Sequence, residues 1–338
     1  VGSGADTPLP IELLANLSNR LDGLSLPLAL LRFLDWSARH GTALLAASIF
    51  AGVAYAPLAA ATRGLVSPAV ALLMTLVLLR IDPAQILAWI RRPLLVAGLS
   101  AWVLLACPLI AWGAARAAGL DGPLGAGLVL MAASCSATTA PAIARLNGLD
   151  AEISLLVALV TTALVPLTAP PLALGLLGLD LAISIPGLML RLGLVVGVPA
   201  LLALLLRRWI GPARLEAAGR GVDGLVVLVL VVFGFGVMDG VQARLLAEPL
   251  WVLGGTILAL AGNLGLNALT ALLWRPGGLR LALAAGLLAG NRNQALLLAV
   301  LPAAADPGVL MFFALGQVPI FVSPFLLRPA YRRLMRDA

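Results

Sequence analysis

Four consecutive polar residues, Asn291-Arg292-Asn293-Gln294, interrupt a stretch from Leu281 to Leu301 that is otherwise apolar. A guanidinium is a permanent cation whose planar fork of five donors can take a carboxylate, sulfonate or phosphate through two parallel hydrogen bonds. At the centre of a bilayer an arginine costs about 2.5–3.5 kcal/mol on insertion scales, so Arg292 must face protein, water or a ligand. Asn291, Asn293 and Gln294 put further donors and acceptors beside it. A second cluster, Cys135-Ser136-Ala137-Thr138-Thr139 with Pro141 after it, interrupts another apolar stretch with small and hydroxyl residues. Both clusters suit the non-covalent binding of a polar group. Group transfer or hydrolysis would need a nucleophile with its base, a metal-ligand set or an aspartate-rich diphosphate motif, and the apolar stretches hold none of these.

The elements that carry these clusters follow from composition. The chain of 338 residues is 62% hydrophobic and 11% charged, with a mean hydropathy of +1.07, whereas soluble domains carry about 25% charged residues. The expected fold is an all-α polytopic membrane protein. Ten apolar runs can cross about 30 Å of hydrocarbon at 1.5 Å per residue, at roughly 40–62, 65–81, 93–116, 122–146, 151–178, 183–208, 222–243, 250–274, 280–302 and 307–329.

All 22 basic residues are arginine, and cytoplasmic loops collect basic residues. With the N-terminus inside, 17 of them fall on the inner side and only Arg63, Arg116 and Arg244 on the outer, leaving Arg191 and Arg292 within spans. Both termini are expected to be cytoplasmic. The net charge of +7 then reflects the inner-face bias and calls for no nucleic-acid partner. Trp36, Trp89, Trp209 and Trp274 lie near inner boundaries and Trp112 and Trp251 near outer ones, as an interfacial aromatic belt requires.

Residues 1–38 lack the pattern of a signal peptide and read as a cytoplasmic or interfacial segment. Cys107 and Cys135 both fall in spans, which argues against a disulfide framework or a zinc site, and no cofactor is implied. His40 has no triad or metal-ligand spacing around it. Asp239 reads as an interfacial acid, or else as a site for a coupling proton. Arg191 is expected to snorkel or to meet Asp180. Asn263 and Asn267, four residues apart on one helical face, are expected to hydrogen-bond to a neighbouring helix. Gly286 and Gly290 have the spacing of a close helix contact.

A shift of 156 positions aligns the chain with itself. It superposes Pro93 on Pro249, Gly98 on Gly254, Gly122 on Gly278 and Asp150 on Asp306. The same shift pairs Cys135-Ser136-Ala137-Thr138 with Asn291-Arg292-Asn293-Gln294, and Thr161 with Gln317. Two five-helix repeats, 39–179 and 180–338, are therefore expected. Because five is odd, the second must be inverted in the membrane, a recurrent build of secondary transporters. Proline lacks an N–H and clashes with the preceding turn, so the fourth helix of the first half is expected to break near Pro141. Broken backbone at membrane depth must be buried or line a wet cavity. Two breaks at matching places point to crossed discontinuous helices, where half-helix ends could bind substrate and ions.

From about residue 40 onward the chain resembles the bile acid:sodium symporter family. The marks are Ser67-Pro68 through Leu78 with Asp82, Arg92-Pro93 followed by Cys107-Pro108-Leu109, the segment Cys135 to Thr139 in place of a Cys-Pro-Gly-Gly break, and Gly290 with Asn293 as the second break's Gly-x-x-Asn. The resemblance implies ten helices in a panel domain and a core domain with two crossed, broken helices. It also marks departures. Where sodium-using members have a glutamate and a glutamine, this chain has Leu288 and Arg292, and a Ser-Asn pair is replaced by Pro141-Ala142. Hard cations take several oxygen ligands, and most of them are missing here.

The expected function is a secondary transporter that carries a small or amphipathic organic anion by alternating access. Arg292 would stand where a cation binds, and sodium would not be required; the alternative is that Arg292 makes only an internal salt bridge or caps broken-helix carbonyls. Asn291, Asn293, Gln294, Ser136, Thr138, Thr139, Thr161 and Gln317 would complete the substrate site, with Pro141 and Gly290 at the helix breaks. The competing readings are a sodium-coupled bile acid-type symporter with a rearranged ion site, and a membrane sensor or channel. The coupling ion, proton or sodium, stays open. An arginine-rich, lysine-free composition indicates a GC-rich bacterial genome and hence an inner membrane.

Overall fold

The computed structural model describes residues 28–81, 92–177, 184–301 and 305–336. Residues 1–27, Asp82, Trp89 and Asp180, which entered the expectations above, lie outside the described residues. Apart from one isolated two-residue bridge, all regular structure among the described residues is helical.

The amphipathic α1, Leu28–Arg39, is followed by α2, Gly41–Ala54, and α3, Ala56–Arg63. The apolar run expected to cross as one span at 40–62 is instead bent by 106° between these two helices. Pro57, the second residue of α3, cannot donate to the turn before it, and the chain changes direction at Tyr55 (φ −130°, ψ 83°). Next come α4, Val66–Leu79, and α5, Pro93–Ala117, which contains a π-turn at Trp102–Ala106. The fourth expected span is split into α6, Pro123–Ala133, and α7, Ala140–Leu146. Pro141 is the second residue of α7, where a missing N–H costs nothing. The interruption accordingly lies ahead of it, at Ser134–Thr139.

The chain continues through α8, Ala151–Leu177, α9, Ile185–Ile210, the short α10, Pro212–Ala217, α11, Gly219–Val237, α12, Val241–Ala247, and α13, Pro249–Leu273. Asn291–Asn293 separates α14, Leu279–Gly290, from α15, Gln294–Val300. The last helices are α16, Pro307–Leu315, and α17, Gln317–Arg336.

Six helices among the described residues are long and apolar enough to cross a membrane, or seven when the bent pair is counted as one span. Three further expected spans hold shorter apolar helices, α4, α6 and α14. Three helix starts repeat at the expected offset of 156 positions: Pro93 and Pro249, Pro123 and Leu279, Ala151 and Pro307. Asp150 and Asp306 keep the same offset and do the same work. Asp150 Oδ1 accepts from the Ile153 amide at 3.0 Å, and Asp306 Oδ1 accepts from that of Gly308 at 2.7 Å, which satisfies N–H groups that a helix start leaves open.

Two sets of helix contacts stand out, joined by packing of α9 on α8. In the first, α11 lies against α1, α2, α3 and α4, and α9 packs on α4. Gly224 brings the backbone of α11 into contact with that of α1 at Leu34, and Asp35 of α1 joins Arg39 and Arg220. In the second group α13 packs on α14 and α17, α5 on α6, α7 on α8 and α16 on α6. Long apolar side chains on α9, Leu190, Leu194, Leu201 and Leu205 among them, are exposed, as a lipid-facing surface would be.

Candidate functional site

The two interruptions meet. The Ala137 amide donates to the Asn291 carbonyl and the Asn293 amide donates to the Cys135 carbonyl, both at 2.8 Å. The result is a single antiparallel bridge centred on Ser136 and Arg292. An offset of 156 exchanges one bond for the other. Broken helices leave unpaired backbone groups that cannot be left bare away from water, and here each break satisfies the other. Ser136 Oγ donates to the Leu288 carbonyl at 2.9 Å, tying the first break to the last turns of α14. The Ser136 amide donates to Thr161 Oγ1 on α8 at 3.3 Å.

Arg292 is 0% exposed. Its Nε donates to the Ala289 carbonyl at 2.7 Å, and its Nη1 donates to the carbonyls of Val103 at 2.9 Å and Ser134 at 3.0 Å. Each of these oxygens is free for a local reason. Ala289 lies in the last turn of α14 and Ser134 caps the end of α6, where carbonyls have no partner further along the helix. Val103 lies in the π-turn of α5: the Cys107 amide that would normally bond it donates to Trp102 instead, and Pro108 has no N–H to offer. Three orphaned carbonyls, two of them at helix C-termini where the macrodipole is negative, thus converge on one cation. The guanidinium faces these carbonyls, and its Nη2 has no hydrogen-bond partner.

Asn291 also points inward. Its Oδ1 accepts from Ser323 Oγ on α17 at 3.1 Å and from Asn263 Nδ2 on α13 at 3.3 Å. Asn263 Nδ2 also donates to the Gly290 carbonyl at 2.8 Å, and Asn267 Nδ2 donates to the Tyr331 hydroxyl at 2.9 Å. The two asparagines therefore bridge helices as their spacing predicts. Close approach of α14 to α13 makes these bonds reachable: a Cβ on Gly290 would sit 2.6 Å from the Asn263 carbonyl oxygen, and one on Gly286 2.6 Å from that of Asn267.

On the other side of the crossing a cavity of about 240 Å³ separates it from α2, α4 and α11. Its polar lining comes from Thr138, Thr139, Asn293, Gln294 and Gln317, and the facing wall is apolar, with Leu45, Leu73, Met74, Leu230 and Phe233. Asn293 Nδ2 lies 3.9 Å from Met74 Sδ. Gln317 Nε2 donates to the Phe313 carbonyl at 3.1 Å, and Gln294 Oε1 is buried without a partner. Of the residues expected at a substrate site, these five and Arg292 line the space, Arg292 without any solvent-exposed surface, while Asn291, Ser136 and Thr161 lie outside the lining and hold the crossing from behind.

Such a set can bind and release through hydrogen bonds and apolar contact. No group of three or more His, Cys, Asp or Glu side chains among the described residues could hold a metal ion. Residues 67–248, over half of the chain, match the family described as the Sodium Bile acid symporter family. The chain belongs to that family. The match includes the first interruption and ends before the second. Among curated proteins no relative matches this chain. Sodium bile acid symporter family members are membrane transporters, and the apolar helices make this one a multi-pass membrane protein.

Carbonyls freed at the helix breaks were among the partners expected for Arg292, and the structure supplies those of Ala289 and Ser134; the third, on Val103, was not foreseen, because every residue carries a carbonyl and only a helix irregularity frees one. Pro108 was the available signal. Ser323 and Tyr331 were missed as well, each lying in a helix that otherwise reads as apolar or interfacial. The remaining candidates sit outside the crossing. His40 stacks on Trp36 with ring centroids 4.8 Å apart, Asp239 pairs with Arg63 at 3.0 Å, and Arg191 is exposed on α9.

Proposed function

We propose that this protein carries a small or amphipathic organic anion across the bacterial inner membrane by alternating access, without sodium, with Arg292 as a built-in cation. The carrying observation is the sealed guanidinium: a charged side chain with no exposed surface, held by three backbone carbonyls at the crossing of two broken helices. Carbonyl oxygens gathered at helix ends are the surroundings a bound monovalent cation would need. A permanent charge among them removes the vacancy that sodium would fill. In this reading Thr138, Thr139, Asn293, Gln294 and Gln317 meet the cargo, and Arg292 stands behind them as a fixed positive charge. Ser136, Thr161 and Asn291 keep the crossing rigid. The apolar wall opposite suits the body of an amphipathic molecule.

Ten spans in two inverted repeats, 39–179 and 180–338, with both termini cytoplasmic, complete the proposal. Helix starts and caps repeated at one offset support it, as does a bridge that the same offset maps onto itself. The helices around α11 form the panel, the crossed helices form the core, and the cavity lies between them. A sodium-coupled symporter with a rearranged ion site is the competing reading, since the family is described by sodium.

One experiment separates the two. The melting midpoint of the purified protein is measured against organic anions, bile acids among them, in sodium and in choline at equal ionic strength, because a ligand of the folded state raises it. Equal stabilisation in both salts supports the built-in cation. Stabilisation confined to sodium overturns it, and no response to any anion removes the anion itself.

A further inference from the structure

A second cavity, of about 330 Å³, lies at the far end of the seam that holds the first. Its walls come from the same panel and core elements. Along α4 the lining changes from one cavity to the other between Val66 and Val70, along α11 between Phe233 and Gly236, and along α15 between Ala295 and Leu298. Three or four helical residues rise about 5 Å. One turn of apolar packing, including the buried Val70, Phe233 and Leu297, therefore divides the two spaces.

Among the described residues three charged side chains line either cavity, and Arg292 has no exposed surface. The others are Arg63 and Asp239, paired through Nη1 and Oδ2 at 3.0 Å. Their exposure is unequal. The side chain of Arg63 is 72% exposed and that of Asp239 is 22% exposed, so the positive member presents itself to solvent. Exposed pairs of this kind hold weakly, and one fork of the guanidinium remains for a bidentate anion.

We infer that this far cavity is a second binding station for an organic anion. The anion's carboxylate or sulfonate takes the free edge of Arg63, and its apolar body lies against Val66, Leu298, Leu310 and Met311, one turn from the crossing. Arg63 supplies the accessible cation that the crossing cavity lacks, and Asp239 holds it in place while weakening its grip. The inference rests on the transport reading above.

The test uses thiol reagents that differ in charge. Cys107 and Cys135 are buried, so a single introduced thiol, Leu310→Cys, reports on the far cavity, with Val66→Cys as a second position should the first fail to fold. Labelling rates by sulfonatoethyl and trimethylammonioethyl methanethiosulfonate are measured in the full chain in lipid nanodiscs and divided by the rates on a small free thiol. The expected ratio favours the sulfonate. Arg63→Gln lowers it by about tenfold, because a unit charge about 6 Å away in water changes each rate about threefold in opposite directions. Asp239→Asn raises it. A ratio indifferent to both substitutions, or no labelling at either position, overturns the station. An intact ratio without anion-dependent stabilisation would remove the carrier reading alone, and a lost ratio with stabilisation intact would remove the station alone.

Discussion

Ser136 and Arg292 stand opposite one another at the centre of an antiparallel bridge, although 156 positions separate them in the chain. Every donor and acceptor of that bridge belongs to a helix break. Neither break would be tolerable alone in hydrocarbon, because exposed peptide groups there cost several kcal/mol each. Crossing turns two defects into one satisfied unit, and the guanidinium that grows from the bridge reaches the carbonyls still left over.

Replacing Arg292 exposes what it satisfies. Arg292→Ala leaves the carbonyls of Ala289, Val103 and Ser134 buried and unpaired, each worth about 1–3 kcal/mol, while relieving the desolvation of a buried charge. A net loss of about 3 kcal/mol is expected in thermal or denaturant unfolding. If the arginine occupies a cation's place, sodium raises the melting midpoint of Arg292→Ala above its value in choline, and leaves the parent protein unaffected. A variant as stable as the parent would show that the carbonyls find water instead.

Gly290→Ala and Gly286→Ala force a methyl group to 2.6 Å from backbone oxygens of α13, which cannot move aside as a side-chain tip would. Each is expected to destabilise by about 1–3 kcal/mol, the usual cost of overpacking. Gly254→Ala, in α13 with nothing within 4 Å of the new Cβ, gains up to about 1 kcal/mol of helix propensity. Melting midpoints of the three variants should therefore move in opposite directions.

The Asn267–Tyr331 bond joins α13 to α17 deep in the protein. Asn267→Leu and Tyr331→Phe are each expected to cost about 1–3 kcal/mol, since each strands the other's polar group. The double variant should cost less than the sum, by about 1 kcal/mol in a double-mutant cycle. Strict additivity would mean that the pair contributes nothing to holding the helices together.

Leu230→Trp puts an indole into the cavity of about 240 Å³ between α11 and the crossing. Because it fills space without displacing packed core, stability should stay within about 1 kcal/mol of the parent. Stabilisation by any anion that binds at the crossing should vanish. An anion shift that survives the substitution would place the cargo elsewhere.

Much of the architecture is legible in the chain. Pro93 and Pro249, and Asp150 and Asp306, mark helix starts because a missing N–H and a short carboxylate suit those positions whatever the helix packs against. The offset they share also pairs the second interruption with the first. The bend at Tyr55 was not foreseen, because an apolar run looks continuous to hydropathy even where Pro57 turns it.

Local sequence determined the apolar runs, the breaks and the presence of one arginine within a broken helix, because hydropathy, proline and charge act through neighbouring residues. Tertiary structure alone decided where that arginine points. Its direction depends on carbonyls freed in three helices distant in sequence, the π-turn before Pro108, the end of α6 and the end of α14, and only their convergence makes a site for a cation. The same convergence buries the guanidinium completely in the wall of the cavity, beside Asn293, Gln294 and Gln317.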